Sequence, residues 1–266
     1  MPVIQLSADL SDILLDLLHE DVRLVDAVEV GPWFTPQQIR AYQQSLPDMP
    51  FHFHAADLIE NIGSPPAGIA QIANYLTCTG SPWVSVHISV WQPGDVRKLK
   101  SGQLVPLPDI EQSRQQFIEK VIRLASSIRV PVLIENVEPL PFEDFNYWAR
   151  PDFICQVFAQ TGCGLLLDTG HARISAEYLG MTACDYLQLL PLERLVQVHA
   201  SGPRRVDGSL VDAHQPLQNE DYDLLEYILA KTHPQVVTLE YIQEAGALRE
   251  QLVRLRGICA MRSAAI

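Results

Sequence analysis

The residues of this sequence that could do chemistry stand at the ends of its apolar segments. In the stretch GLLLDTGH (164–171), three leucines lead into Asp168, and His171 follows three residues later. A carboxylate or an imidazole is costly to bury without a partner. We therefore expect Asp168 and His171 to face a common partner where a buried strand ends.

The same arrangement recurs in other segments, where polar and apolar side chains alternate. Side chains at positions i and i+2 of a strand share one face. By this rule His54, His87 and His199 each lie on the polar face of a segment whose other face is apolar. The apolar faces must pack beneath helices, so the polar faces are predicted to point into the interior.

Nine acids and imidazoles occupy strand ends or the loop after the seventh strand. They are His54, His87, Glu135, Asp168, His171, His199, Asp212, His214 and Glu240. Imidazole nitrogens and carboxylate oxygens without a thiolate suit Zn, Mn or Fe. Zinc takes about four or five ligands and iron about six, so nine groups predict a cofactor of two or three divalent ions.

The elements that must position these residues alternate between short apolar and longer amphipathic segments. Strands are predicted at 3–7, 25–31, 51–55, 83–89, 130–137, 164–170, 195–201 and 236–241. Helices are predicted at 9–19, 36–45, 67–78, 109–128, 150–160, 182–189, 221–231 and 244–257. Eight such units favour parallel strands closed into a (β/α)8 TIM barrel, as a single domain over residues 1–266. An open doubly wound sheet is the alternative.

Barrels of this class carry their active sites at the C-terminal ends of the strands. Two long connections, 90–108 and 202–220, follow such ends and are expected to wall a substrate site. In the second, Arg204 and Arg205 could bind a phosphate or carboxylate of the substrate or be solvated loop charges. Glu29, at the end of strand two, could contact substrate or support another site residue. Asn136 is expected to serve packing, and His52 to lie one layer below His54.

Composition narrows the function classes. The formal charge of −13 argues against nucleic-acid binding, which needs clustered Lys and Arg. No apolar stretch reaches the ~18–20 residues of a membrane span, and the start shows no secretory signal. The five cysteines form no C-x-x-C pair, which is typical of reduced thiols in a cytoplasmic protein.

The ligand pattern is similar to that of the xylose isomerase-like TIM-barrel superfamily. Glu135, Asp168, His199 and Glu240 match, in order, the single-metal set of its sugar isomerases and epimerases. The other five residues resemble the additional ligands of the trinuclear zinc site in endonuclease IV enzymes; they are His54, His87, His171, Asp212 and His214.

The amino-acid sequence of residues 50–255 resembles that of a third branch, the multinuclear non-heme iron-dependent oxidative enzymes of the methanobactin-biosynthesis type. The motifs that carry this likeness are FHFHAADL, LVPLP, LIENV, TGCGLLLD, YLQLLPLERLVQVHASG, VDAHQPL and TLEY. The resemblance implies two or three iron ions, oxygen, a peptide or small-thiol substrate and often a partner protein. His171 stands where that branch usually has Asn, as in the endonuclease pattern.

Three functions follow from these resemblances. The favoured one is iron-dependent oxidation of a peptide or small thiol. The alternatives are a zinc or manganese phosphoester hydrolase, and a sugar isomerase or epimerase with one ion in which Glu135 and Glu240 act as catalytic bases.

Overall fold

Eight parallel strands close into a barrel in the computed structural model, which describes residues 3–62, 67–88, 98, 101, 103, 109–140 and 146–264. The strands of the chain are β1 (Gln5–Asp9), β2 (Ala27–Val30), β3 (Phe51–Ala56), β4 (Val84–His87), β5 (Val132–Glu135), β6 (Gly164–Asp168), β7 (Leu195–Ala200), β8 (Arg204–Val206), β9 (Ser209–Val211) and β10 (Val236–Leu239). The order around the barrel is β1-β10-β7-β6-β5-β4-β3-β2. The predicted TIM barrel is confirmed, and the open sheet is excluded.

Helices separate the barrel strands. They are α1 (Asp12–Glu20), α2 (Pro36–Ser45), α3 (Ala67–Thr79), α4 (Ile110–Ser127), α5 (Pro151–Thr161), α6 (Thr169–Tyr178), α7 (Ala183–Gln188), α8 (Asn219–Leu229) and α9 (Ala245–Ala264). Local chemistry fixes several ends: the Thr35 hydroxyl caps α2 and Gln38 returns the bond to the Thr35 backbone, a capping box. No helix in the described part of the chain is both long enough and apolar enough to cross a membrane.

The barrel interior has an apolar floor and a polar upper layer. Trp83, Leu133, Leu166 and Val236 form a separate buried cluster, each two residues before a polar residue on the same face. Above them the interior turns polar, with Ser85, Glu135, Asp168 and Thr238 all buried. The apolar floor closes the barrel from below, so the polar layer opens only toward the C-terminal ends.

Two features of the upper end differ from the prediction. Strand β6 ends at Asp168 rather than at Gly170, because Thr169 starts helix α6 directly. The loop after β7 holds an antiparallel hairpin formed by β8 and β9. The predicted wall at 90–108 and the end of the predicted fourth strand at residue 89 lie almost entirely outside the described residues.

Candidate metal centre

A cavity of about 690 Å³ opens at the C-terminal end of the barrel. Seven carboxylates line it, from Asp9, Asp57, Glu60, Glu135, Glu138, Asp212 and Glu240. Apolar side chains complete the wall, among them Trp33, Ile88, Val137 and Ile242. The described lining residues include no lysine and no arginine, so the cavity is acidic with an apolar rim.

Two imidazoles and one carboxylate converge on one side of the cavity. His54 Nε2 lies 3.1 Å from His87 Nε2, and Glu135 Oε2 lies 3.4 Å from the first and 3.5 Å from the second. The other ring nitrogen of each histidine has its own hydrogen-bond partner. His54 Nδ1 lies 2.9 Å from Ser85 Oγ, and His87 Nδ1 lies 2.8 Å from Asp57 Oδ1. These three residues are called the first group.

A second group surrounds His199 and comprises Glu135, Asp168, His199 and Glu240. His199 Nε2 is 2.8 Å from Glu29 Oε1, which fixes the proton there. Nδ1 then carries a lone pair, yet it lies 3.0 Å from Glu240 Oε1 and 3.5 Å from Glu135 Oε1 without a hydrogen bond. Asp168 joins Glu135 and His199 in one cluster of potential ligand atoms.

A third group lies at the outer edge of the site and comprises His171, Asp212 and His214. His171 Nδ1 lies 2.9 Å from the Asn136 carbonyl oxygen, so its Nε2 is the free nitrogen, 3.8 Å from Asp212 Oδ2. His214 Nε2 is 2.9 Å from the same oxygen, and its Nδ1 is 3.7 Å from Glu240 Oε2. His214 has a positive φ of 42°, a strained conformation of the kind that clusters at functional sites.

The first and second groups fit divalent ions. Metal–ligand bonds of about 2.1 Å set neighbouring ligand atoms about 3.0 Å apart in an octahedral site and about 3.4 Å apart in a tetrahedral one. The first and second groups match these spacings, with 3.0–3.5 Å between their closest ligand atoms. Five buried ligand atoms have no hydrogen-bond partner, namely Glu135 Oε2, Asp168 Oδ2, His199 Nδ1, Asp212 Oδ1 and Glu240 Oε2. Cations bound within the groups would satisfy these atoms.

Glu135 joins the first and second groups. Its Oε2 faces the first pair of imidazoles, and its Oε1 faces His199. A carboxylate whose two oxygens serve two ligand sets is the arrangement that bridges a pair of ions about 3.5–4 Å apart. The residues of this chain could therefore hold more than one ion.

Burial and charge shift the pKa values throughout the centre. Burial acts to raise the pKa of Glu135, but three neighbouring imidazoles lower it to about 2. Burial raises the pKa of Asp168 to about 8. Burial acts to lower the pKa of His87, but nearby carboxylates raise it to about 9. The hydrogen bond with Asp212 raises the pKa of His214 to about 10. Protons and metal ions therefore compete for these groups.

Local backbone chemistry places Asp168 and His171 together. Asp168 caps helix α6 by accepting a hydrogen bond from the His171 backbone at 2.5 Å. The Asn136 side-chain amide makes two hydrogen bonds with the Asp168 backbone. Its Nδ2 donates to the Asp168 carbonyl oxygen, and its Oδ1 accepts from the Asp168 N–H. Thr169 and Gly170, predicted to end the sixth strand, thus begin a helix instead, and the Asn136 amide positions a ligand in addition to packing.

The three expected substrate contacts are placed elsewhere. Glu29 is 1% exposed and faces the back of His199, where it also accepts from Gln197. Arg204 donates to the Pro203 and Pro216 carbonyls. Arg205 is paired with Glu177, and both arginines line a different cavity of about 640 Å³. None of the three lines the cavity of the metal centre, and a contact of theirs with substrate stays a prediction.

Four carboxylates of the cavity, Glu60 among them, were not predicted from the sequence. Asp9 is the last residue of β1, where burial beside Glu240 and Glu29 raises its pKa well above the usual range. The predicted first strand ended two residues too early, so the strand-end rule missed it. Asp57 follows β3 and holds His87. Glu138 follows Glu135 by three residues and lies 3.2 Å from His171 Nε2.

The closed barrel of eight parallel strands is a (β/α)8 TIM barrel, with the acids and imidazoles of the candidate centre at its upper end. Solved structures of this fold resemble the chain over almost its whole length. A D-psicose 3-epimerase from Clostridium cellulolyticum, solved with D-tagatose, is 13% identical with a TM-score of 0.61, over 97% of this chain and 99% of that one. A D-tagatose 3-epimerase-like protein is 14% identical with a TM-score of 0.63, over 98% and 99%. At these identities the likeness concerns the fold.

The chain belongs to the RiPP precursor modification enzyme MbnB/TglH/ChrH family, whose model matches residues 14–261. A UPF0276 protein of Bordetella pertussis is 29% identical over 163 residues, which are 59% of this chain and 55% of that protein. A UPF0276 protein of Caulobacter vibrioides is 28% identical over 176 residues, 65% and 61% respectively. The chain thus spans little more than half the length of the curated relatives it matches.

Proposed function

We propose that this protein is an iron-dependent enzyme that oxidatively modifies a peptide or small thiol. The nine ligand residues would hold two or three ions: His54 and His87 the first, Asp168, His199 and Glu240 the second, and His171, Asp212 and His214 a third, with Glu135 shared. Bound iron would supply the redox chemistry, with dioxygen as the oxidant. Membership of a family of precursor-peptide modification enzymes supports the peptide substrate.

The division of the Glu135 oxygens between two imidazole groups carries the multinuclear part of the proposal. A sugar epimerase of the type described above needs one ion and the second group alone. The first group would then be two imidazoles facing a carboxylate with no function, which is a costly arrangement to bury. The geometry therefore favours a centre with more than one ion.

The cavity lining supports a substrate without strong negative charge. No described lysine or arginine lines the cavity beside its seven carboxylates, so phosphates of a nucleic acid would meet repulsion outside the ions. The rim offers Trp33 and Ile242, each about half exposed. Apolar and aromatic walls of this kind suit peptide side chains.

The side chains of the chain would take distinct roles in the reaction. Glu29 and Asp57 would orient His199 and His87 through the ring nitrogens that face away from the ions, as such partners commonly do. Glu240 lies at the cavity with Oε2 unpartnered, where it could accept the substrate thiol proton. Glu135 would remain the bridge, since it is 1% exposed.

The partner protein implied by the resemblance remains part of the proposal, as does a cytoplasmic location. The second candidate function is a zinc- or manganese-dependent phosphoester hydrolase. It is favoured by His171, which presents a free Nε2 beside Asp212 Oδ2 and completes an imidazole-rich third group. The acidic cavity weighs against it.

The test compares metal forms of one preparation. Protein reconstituted anaerobically with Fe²⁺ is exposed to oxygen with a synthetic cysteine-containing peptide, and with the same peptide carrying Cys→Ser changes. Oxygen uptake and a mass change that require both iron and cysteine are expected. Cleavage of bis-p-nitrophenyl phosphate by the zinc form alone would instead establish the hydrolase, and ketose epimerisation at one ion per chain the isomerase.

A further inference from the structure

We propose that Glu138 is a tenth ligand, which closes the third ion site together with His171, Asp212 and His214. This inference rests on the third ion of the proposed function. The residue lies outside the nine positions that the family resemblances supply. What brings it into the site is its position in the folded chain.

The geometry around the free nitrogen of His171 carries the proposal. With His171 Nδ1 directed at the Asn136 carbonyl, Nε2 lies 3.2 Å from Glu138 Oε2 and 3.8 Å from Asp212 Oδ2. Two of the spacings, 3.2 Å between Glu138 Oε2 and His171 Nε2 and 2.9 Å between Asp212 Oδ2 and His214 Nε2, match those of neighbouring ligands of one ion, about 3.0–3.4 Å. The 3.8 Å spacing between His171 and Asp212 is longer and would have to shorten when an ion binds. Glu138 is nearer to this nitrogen than Asp212 is.

A protonated His171 would account for only part of this arrangement. One proton on Nε2 can be donated well to one oxygen, yet two carboxylates approach it. Asp212 Oδ2 already lies 2.9 Å from His214 Nε2, and the buried Asp212 Oδ1 has no hydrogen-bond partner. A divalent ion serves both carboxylates and both imidazoles at once, which a single proton does not.

The segment that carries Glu138 is held in place. The indole of Trp148, which is buried, donates to the Glu138 carbonyl at 3.4 Å. Two residues further on, the Asn146 side chain bonds both the nitrogen and the oxygen of Leu140, at 2.8 and 2.7 Å. These bonds fix the chain just past β5, so the Glu138 carboxylate is presented toward His171 by an anchored backbone.

A second carboxylate changes the character of the third site. Two carboxylates and two imidazoles carry a charge of −2, which balances one divalent ion, and four protein ligands leave it few open positions. The first group supplies three ligands, His54, His87 and Glu135. With one ligand fewer, the first group would leave more room for substrate, and the cavity beside it is lined by Trp33 and Ile88.

The experiment is a Zn²⁺ titration of the whole protein after chelation, followed by calorimetry and metal analysis. Glu138→Gln keeps the side-chain shape and removes the charge. We expect the Glu138→Gln protein to bind one ion fewer per chain, or to bind its weakest ion with an affinity reduced by about 10-fold or more. The other ions should bind as in the parent. The control is Glu226→Gln on α8, whose carboxylate pairs with Arg262, and it should bind zinc as the parent does.

The outcomes separate this inference from the proposed function. Unchanged stoichiometry and affinities in Glu138→Gln, or a tighter third ion, would overturn the role of Glu138 and leave the multinuclear centre standing. If the parent protein binds only one ion per chain, both the role of Glu138 and the multinuclear centre are contradicted. Equal melting temperatures of the chelated parent and variant show that lost binding does not reflect misfolding.

Discussion

The buried carboxylate behind His199 offers a quantitative test of how the centre is organised. Glu29 Oε1 accepts from His199 Nε2 at 2.8 Å, and both side chains are at most 1% exposed. Glu29→Gln keeps an oxygen that can accept this hydrogen bond, so the imidazole stays oriented, but the negative charge is lost. His199 then becomes a weaker metal ligand.

The expected loss of metal affinity in Glu29→Gln follows from the burial of Glu29. Loss of a partner behind a metal-bound imidazole weakens metal binding by about 10- to 100-fold, or about 1.4–2.8 kcal/mol, and complete burial places Glu29 toward the upper end. The new amide also faces the Gln197 amide that now donates to Glu29 Oε2. This mismatch should lower the stability of the ion-free protein by about 1–3 kcal/mol.

Asp57→Asn is the matched variant, because Asp57 holds His87 Nδ1 at the same distance of 2.8 Å. The Asp57 side chain is 67% exposed, so solvent screens its charge. The loss of zinc affinity in Asp57→Asn should therefore stay below about 10-fold. Competition of each ion-free variant against a chromogenic zinc chelator gives the affinities, and urea unfolding gives the stabilities. The reasoning fails if Asp57→Asn weakens binding more than Glu29→Gln, or if neither does.

Three further predictions follow from the same structure. A Cβ on Gly202 would lie 2.0 Å from the Gln215 carbonyl oxygen. Gly202→Ala should therefore displace the loop that carries the third group, and metal analysis should find one zinc ion fewer per chain. The control Gly257→Ala, where a Cβ would meet open space, should lose no zinc. The pKa values of two ligand imidazoles are raised, to about 9 in His87 and about 10 in His214, so at pH 7 an ion must displace their protons. Zinc affinity should therefore rise between pH 7 and pH 9, and a flat profile over that range would contradict this. Leu166→Ala in the barrel floor should lower the free energy of unfolding by about 2–5 kcal/mol in urea denaturation, and a change below about 1 kcal/mol would refute a packed floor.

The fold was predictable because its signals are local and repeated. Apolar strands, amphipathic helices and capping residues such as Thr35 appear in the sequence in the order in which the barrel uses them. Helix α6 was missed because Asp168 looks like a strand end, and only its hydrogen bond to the His171 backbone shows that a helix begins there.

The candidate site was predictable to the extent that strand periodicity determines which way a side chain faces. Glu135, His199 and Glu240 follow that rule, and the structure brings them together. Periodicity does not predict the path of a loop, nor which side chains meet across the barrel interior. Glu138 enters through the path of the loop after β5. Glu29 on β2 reaches His199 on β7 across the interior, since these two strands are not neighbours in the barrel.

The central claim is that the three groups gather divalent ions at the open end of the barrel, and anomalous diffraction from crystals of the metal-loaded protein tests it most directly. Data collected on both sides of the iron or zinc edge should give two or three peaks, two of them about 3.5–4 Å apart on either side of Glu135. A single peak within the second group, or peaks remote from Glu135, would contradict the account.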